Sequence, residues 1–270
     1  MNKIFEKNLL KNWFEQMEHE LDYYKEPILE EYTVGVIQLA CNTFNQELQV
    51  FFMTVDVIEQ YIYLKDLRGE KIYDPLFSVC VVFFIVSKYV GGTFEMKTPS
   101  IQKFMLTMTG REYTTKMIIS LEREILHILD CRLPFTTVLD DFNTFFQHVR
   151  TDYRLNDTLH RLCINIFQLV YLLRKIWFEE LKDLYSDDPT AFRYLMCSKF
   201  FLPIGILVSA FRLTNYQFIL DIDYFLQKLR IVTKIHPDHI YAFSTIILNC
   251  ISTHQRYRKF IKSQSNYAIQ

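Results

Sequence analysis

The side chains in this chain that could do chemistry do not occur at the spacings that a catalytic or metal site requires. Its six cysteines are far apart in the sequence, at Cys41, Cys80, Cys131, Cys163, Cys197 and Cys250. None forms a CxxC pair, and Cys250 with His254 supplies only two of the four ligands of a structural zinc site. We therefore predict buried thiols and no metal site.

Acidic pairs and histidines have a simpler explanation than catalysis. Asp140-Asp141 and Asp187-Asp188 stand where helices are predicted to begin, and Asp221 with Asp223 lies near a helix start or on a solvated face. Aspartate caps exposed N–H groups there. His236 to His239 also lies at a helix start. No glycine-rich phosphate loop and no GxSxG turn occurs. The sequence predicts no catalytic residue and no cofactor, so it does not predict an enzyme.

Charge is balanced over the chain, with 30 basic and 31 acidic residues and a net charge of -1. A neutral chain has no overall field that attracts nucleic acid, and direct binding to it is not expected. The one basic cluster, residues 254–262, is predicted to be a solvated helix end, with DNA contact as the alternative. The N-terminus carries no apolar signal core, so a secretory route is not expected.

Helical periodicity runs through the sequence, which is 50% hydrophobic and contains only six glycines and seven prolines. The predicted class is all-α. An amphipathic helix over residues 4–24 comes first. Five helices follow, over about 27–40, 46–64, 75–89, 98–109 and 116–129, and then five more, over about 136–148, 157–185, 192–211, 215–229 and 237–253.

The two sets of five predict a structural repeat. In each set the third helix is the most apolar, as expected of a helix surrounded by the others. The apolar runs of these two helices, 76–86 and 200–211, are each about half as long as the ~20 residues that cross a bilayer, so no membrane segment is expected. The predicted domains are an N-terminal helix over 1–24, a first repeat over 25–134, a second over 135–254 and a basic, polar tail over 255–270.

Residues 28 to 142 resemble the cyclin box. The resemblance is carried by residues 28–32, 54–62 and 83–89 and by the segment from Leu121-Glu122 to Thr136, which occur in the order and spacing of cyclins. It implies a cyclin-like fold of two consecutive five-helix repeats. It also implies binding to a partner instead of catalysis.

Within cyclin-like proteins, the chain resembles the meiotic crossover family of cyclin N-terminal domain-containing protein one. Residues 25–27, 121–137, 159–173 and 201–211 carry this resemblance. It implies a protein of the nucleus and of meiotic chromosomes that promotes the maturation of recombination intermediates into crossovers in prophase I. The implied partners are a cyclin-dependent kinase and crossover factors of the mismatch-repair-homologue type. The alternative is a cyclin-type regulatory subunit of a kinase in cell cycle or transcription.

The cyclin resemblance also identifies two candidate interface residues, Lys88 and Glu122. In cyclins, a lysine and a glutamate at these positions hydrogen-bond the backbone of a kinase. Opposite charges of this kind set the register of an interface. The alternative is that the two form only an intramolecular salt bridge or face solvent. Gly91-Gly92 replaces the acidic pair that follows the lysine in many kinase-activating cyclins, so binding does not by itself imply activation.

Overall fold

The computed structural model describes residues 26–90, 96–134, 136–214 and 221–253, without the side chain of residue 151. These residues form twelve α-helices and no β-strand, which confirms the predicted all-α class. They fall into two compact units, Pro27–Leu139 and the part of the chain from Asp140 onward together with Glu26. The predicted N-terminal helix over 4–24 and the basic tail from His254 onward lie outside the described residues.

The described residues of the first unit form five helices, in the order in which the sequence predicts them. They are α1 (Glu31–Thr43), α2 (Leu48–Leu67), α3 (Pro75–Val90), α4 (Thr98–Thr109) and α5 (Thr115–Ile128). Helix α3 packs against each of the other four. All its side chains from Phe77 to Ser87 are buried, as the continuous apolar run in this segment predicts.

Local sequence signals explain where these helices begin and end. The carboxylate of Asp74 accepts the N–H of Phe77 at 3.1 Å, so Asp74 caps α3, and Pro75 occupies the first turn, where no N–H is needed. Helix α4 ends at Gly110, which has a φ of +68°. The hydroxyl of Thr114 accepts the N–H of Met117 and caps α5. These caps fix the segments that hold Lys88 and Glu122.

The described residues of the second unit form more helices than the sequence predicts for them. From α6 (Val138–Tyr153) the chain continues through α7 (Asp157–Leu172), α8 (Arg174–Leu184), α9 (Pro189–Cys197), α10 (Phe201–Leu213), α11 (Ile222–Thr233) and α12 (Pro237–Thr253). The helix predicted over 157–185 is therefore two helices, broken at Leu173, and the one predicted over 192–211 is broken near Ser198. Of the predicted helix 215–229, residues 215–220 lie outside the described residues.

Helix α10 is the buried centre of the second unit. Every residue from Pro203 to Phe211 is buried, and α10 packs mainly against α12 and α7. Pro203 lies in the first turn of α10, where proline is tolerated, so its position marks the start of this helix. Among the described residues no single helix is long and apolar enough to span a membrane. Helices α9 and α10 pass that test only as a pair, and they meet at 85°.

The cysteines are free, and most of them are covered. Cys41, Cys80, Cys163 and Cys250 are buried, as the sequence predicts, but Cys131 is exposed and Cys197 is intermediate. Burial raises the pKa of Cys41 and of Cys80 to about 12. The prediction of a buried thiol is wrong for Cys131, because this residue follows the last turn of α5, where the chain leaves the protein core.

Candidate functional site

Lys88 and Glu122 are brought together at the surface of the first unit. Lys88 lies in the last turn of α3 and Glu122 in the middle of α5, and these helices pack against each other. The ammonium group of Lys88 donates a hydrogen bond to Oε1 of Glu122. The structure thus contains the intramolecular salt bridge that the sequence analysis gives as the alternative, and the role of the two residues in binding a kinase stays a prediction.

The ammonium group of Lys88 also lies over an aromatic ring. Its Nζ atom is 4.2 Å from the centre of the ring of Phe84, one helical turn earlier on α3. Phe84 is itself buried. A cation over the face of an aromatic ring is attracted by the electron density of that face. Phe84 therefore holds Lys88 toward Glu122, a role that the sequence reasoning missed although the spacing of four residues is visible in the sequence.

The pair remains accessible to a partner. The side chain of Lys88 is 36% exposed and that of Glu122 is 19% exposed. An ammonium group has three donors and a carboxylate has two acceptor oxygens, so the contact between them leaves capacity on both sides. The pair can therefore bind backbone carbonyl and N–H groups of another protein without first separating.

Exposed apolar side chains stand on the same two helices. Tyr89 follows Lys88 in the sequence and is 45% exposed, while Met117 and Ile119 on α5 are 45% and 42% exposed. Ile119 lies three residues before Glu122 and so on the same side of α5. Apolar area beside charges is the usual composition of a protein interface. We use the name α3–α5 surface for Lys88, Tyr89, Ile119 and Glu122.

Two other segments that resemble cyclins also contact each other in this unit. The buried carboxylate of Glu59 on α2 accepts the N–H groups of Ile28 and Leu29, at 3.0 and 3.1 Å. These bonds hold the segment before the helix, and α1 begins at Glu31 and not near Pro27 as predicted. The contact is a structural anchor and has no exposed reactive group.

Members of each acidic pair lie at helix starts, as the sequence predicts. Asp188 caps α9 by accepting the N–H of Ala191 at 3.0 Å, and Asp221 caps α11 in the same way through Tyr224. Asp140 and Asp141 lie in the first turn of α6. Within the described part of the chain, no three His, Cys, Asp or Glu side chains are placed to hold a metal ion.

Comparison with protein families identifies the domain that contains this pair. The family model for the N-terminal domain of cyclins matches residues 15–134, which include α1 to α5 and both Lys88 and Glu122. The match supports a cyclin-like family and identifies the all-α architecture as a cyclin-like fold. A search of curated proteins found no match to this chain.

Proposed function

Because the family match supports a cyclin-like protein, we propose that this chain is a cyclin-type regulatory protein that binds a cyclin-dependent kinase through its α3–α5 surface. The observation that carries the proposal is the contact of Lys88 with Glu122, formed across two helices of the matched domain and left accessible to solvent. A cyclin N-terminal domain suits a kinase partner. The charged pair gives this partner a defined place to dock.

The pairing lowers the cost of binding because the two side chains are already ordered. A free lysine loses rotamer freedom when a partner immobilises it, at a cost of about 0.5–1.5 kcal/mol. In this chain Phe84 and Glu122 already hold Lys88. The kinase therefore meets a prepared arrangement of one donor group and one acceptor group, which favours a single register of docking.

Catalysis belongs to the kinase in this proposal. A cyclin-type protein is regulatory, and the α3–α5 surface consists of a charged pair beside exposed apolar side chains, a composition suited to binding. Its chemical contribution is to hold backbone groups of the kinase. Activation of the kinase is a separate property from binding. It is measured as the enzymatic activity of the kinase with and without this chain.

A finer part of the proposal concerns meiosis. The sequence resemblance supports a nuclear protein on meiotic chromosomes that promotes crossover maturation with factors of the mismatch-repair-homologue type. In the second unit, this resemblance is carried by buried residues of α7 and α10, including Leu159, Cys163 and Leu207. Such residues specify packing, so the surface that would meet the crossover factors has to be found by experiment.

The test of kinase binding is charge reversal at the α3–α5 surface. A panel of purified cyclin-dependent kinases is first tested for co-purification with the wild-type chain. The variant with both Lys88→Glu and Glu122→Lys should fail to co-purify with any kinase that the wild-type chain retains. The control variant carries Lys103→Glu and Glu112→Lys, two exposed charges of the same unit. Unchanged kinase binding by the first variant would contradict the proposal.

The meiotic part is tested separately, by replacing the natural protein with the charge-reversed one in meiotic cells. Loss of crossovers together with loss of the kinase supports a kinase-dependent role. Crossovers that persist without kinase binding, and fail when exposed residues of the second unit are changed, would show a scaffold that recruits crossover factors independently of the kinase. Normal crossover numbers in the absence of the protein would contradict the meiotic role altogether.

A further inference from the structure

A nearly buried lysine near the end of α2 holds two carboxylates. Nζ of Lys65 lies 2.7 Å from Oε2 of Glu70 and 2.9 Å from Oε1 of Glu124, while the Lys65 side chain is only 9% exposed. The hydroxyl of Tyr61 donates to the same oxygen of Glu124 at 3.2 Å. Lysine is rarely buried unless it is paired, and the hydrogen bonds to Glu124 and Glu70 raise its pKa.

One of the two carboxylates is local and places the ammonium group. The N–H of Glu70 donates to the carbonyl of Lys65 at 3.0 Å, and that of Gly69 donates to Asp66 at 2.8 Å. With Gly69 at a φ of +66°, these bonds form the Schellman arrangement that closes a helix. Lys65 and Glu70 are thus joined through both backbone and side chain, and the end of α2 is a fixed support.

The other carboxylate comes from α5, the helix that also carries Glu122. Because each helical residue turns by about 100°, Glu122 and Glu124 point in directions about 160° apart. The buried stripe of α5, formed by Ile118, Ile125 and Ile128, lies between them, about 80° from each. Glu122 reaches Lys88 on α3, and Glu124 reaches Lys65 on α2.

We propose that Lys65 and Glu124 are positioning residues for the α3–α5 surface. An apolar stripe alone permits a helix to roll over its neighbours at small cost, whereas an ion pair on each flank of the stripe opposes rolling in both directions. The pair of Lys65 and Glu124 on the α2 side therefore sets the rotation of α5 at which Glu122 meets Lys88. This inference rests on the proposed function, since it explains how the kinase-binding pair is kept in place.

The experiment measures the affinity of variants for whichever member of the kinase panel binds the wild-type chain most tightly. Lys65→Met removes the ammonium group but keeps most of the apolar stem, and Glu124→Gln keeps the shape while removing the charge. We expect Lys65→Met to weaken binding at least tenfold and Glu124→Gln to weaken it severalfold. Lys71→Met, at an exposed lysine in the loop after α2, is the matched control and should bind like the wild type.

A double-mutant cycle separates positioning from a general loss of stability. If Lys65 acts through Glu122, the loss caused by Lys65→Met should largely vanish in a chain that already carries Glu122→Gln. Purely structural damage would instead add to the effect of Glu122→Gln. Circular dichroism at the binding temperature shows whether each variant keeps its helical content and is folded. If Lys65→Met is not folded, the milder variant Glu124→Gln replaces it in the cycle.

The same cycle measured by urea unfolding needs no kinase. Positioning predicts coupling between Lys65→Met and Glu122→Gln in the free energy of unfolding, although their side chains do not touch. Additive effects in either cycle, or wild-type affinity of Lys65→Met, would overturn the inference and leave the proposed function standing. Kinase binding that survives charge reversal at Lys88 and Glu122 would instead overturn the proposed function, which the unfolding cycle does not address.

Discussion

Glu122 and Glu124 are two residues apart on α5, yet they pair with lysines of two different helices, Lys88 on α3 and Lys65 on α2. The Lys88 pair is exposed enough to meet a partner, whereas Lys65 is almost entirely covered. One short segment therefore combines a candidate binding group with the group that holds its helix in place. The predictions below separate these roles.

The exposed pair should contribute little to stability. Ion pairs that are open to solvent contribute about 0–1 kcal/mol, because water screens them and ordering the side chains costs entropy. We expect Glu122→Gln to lower the free energy of unfolding by less than about 1 kcal/mol in urea titrations. A decrease in the free energy of unfolding above about 2 kcal/mol would show that the pair acts mainly to stabilise the fold.

Removing the ammonium group of Lys65 should cost more. Hydrogen bonds to charged groups contribute about 1.5–3 kcal/mol, and Lys65→Met leaves Glu70 and Glu124 without their cation. Both carboxylates are about half exposed and regain water, so we expect a loss of about 1–3 kcal/mol in the free energy of unfolding. Lys71→Met, the exposed control, should change it by less than about 0.5 kcal/mol.

Gly205 should tolerate no larger side chain. A Cβ atom at this position of α10 would collide with the ring of Phe243 on α12. That ring cannot move away easily, because it stacks on Phe201 at 4.6 Å and lies against Trp177. We expect Gly205→Ala to lower the free energy of unfolding by about 1–3 kcal/mol, although alanine normally favours a helix.

A compensating change tests whether the collision is the cause of that loss. Adding Phe243→Leu to Gly205→Ala removes the ring that the new methyl group meets. The double variant should then be more stable than the sum of the two single losses predicts, as measured by thermal unfolding. Strictly additive losses would show that Gly205 acts through the backbone and not through close packing.

Acidification should destabilise the second unit. Burial lowers the pKa of His160, which hydrogen-bonds Asn143, and that of His239, which hydrogen-bonds Tyr185. The unfolded chain, with a histidine pKa of about 6.5, then binds more protons than the folded chain, so the stabilisation is fully present above that pH and falls as the pH drops through it. We expect the free energy of unfolding to decrease between about pH 7 and pH 5.

Substitution of the two histidines tests the source of this pH dependence. His160→Gln combined with His239→Gln should give a shallower decrease on acidification, measured by urea unfolding at a series of pH values. His148→Gln, at an exposed histidine, is the control and should keep the wild-type slope. An unchanged slope in the double variant would assign the effect to other groups.

The first unit follows closely from the sequence because its helix ends carry local signals. Asp74-Pro75, Gly110 and Thr114 each cap a helix through their own side chain or backbone, and such signals can be recognised without knowing the fold. The resemblance to cyclins identified Lys88 and Glu122, and the structure places them in contact. That the two residues also hydrogen-bond backbone groups of a kinase stays a prediction.

The second unit could be predicted less completely because its breaks depend on tertiary contacts. No glycine or proline marks the break between α7 and α8 at Leu173. The indole N–H of Trp177 donates to the carbonyl of Val170 at 2.7 Å, so a side chain satisfies one of the last carbonyls of α7. Likewise, nothing in the sequence near Lys65 indicates that Glu124 will lie beside it, since that pairing arises only from the packing of α2 against α5.

Exchange of the two charges at the α3–α5 surface tests the central claim most directly. The variant carrying both Lys88→Glu and Glu122→Lys can still form an intramolecular ion pair, so its urea unfolding should remain close to that of the wild type. It presents the opposite charges to a kinase, however. We predict that this folded variant loses measurable affinity for the kinases that the wild-type chain binds. Wild-type affinity in the exchanged variant would contradict the account, because the pair would then act only within the chain.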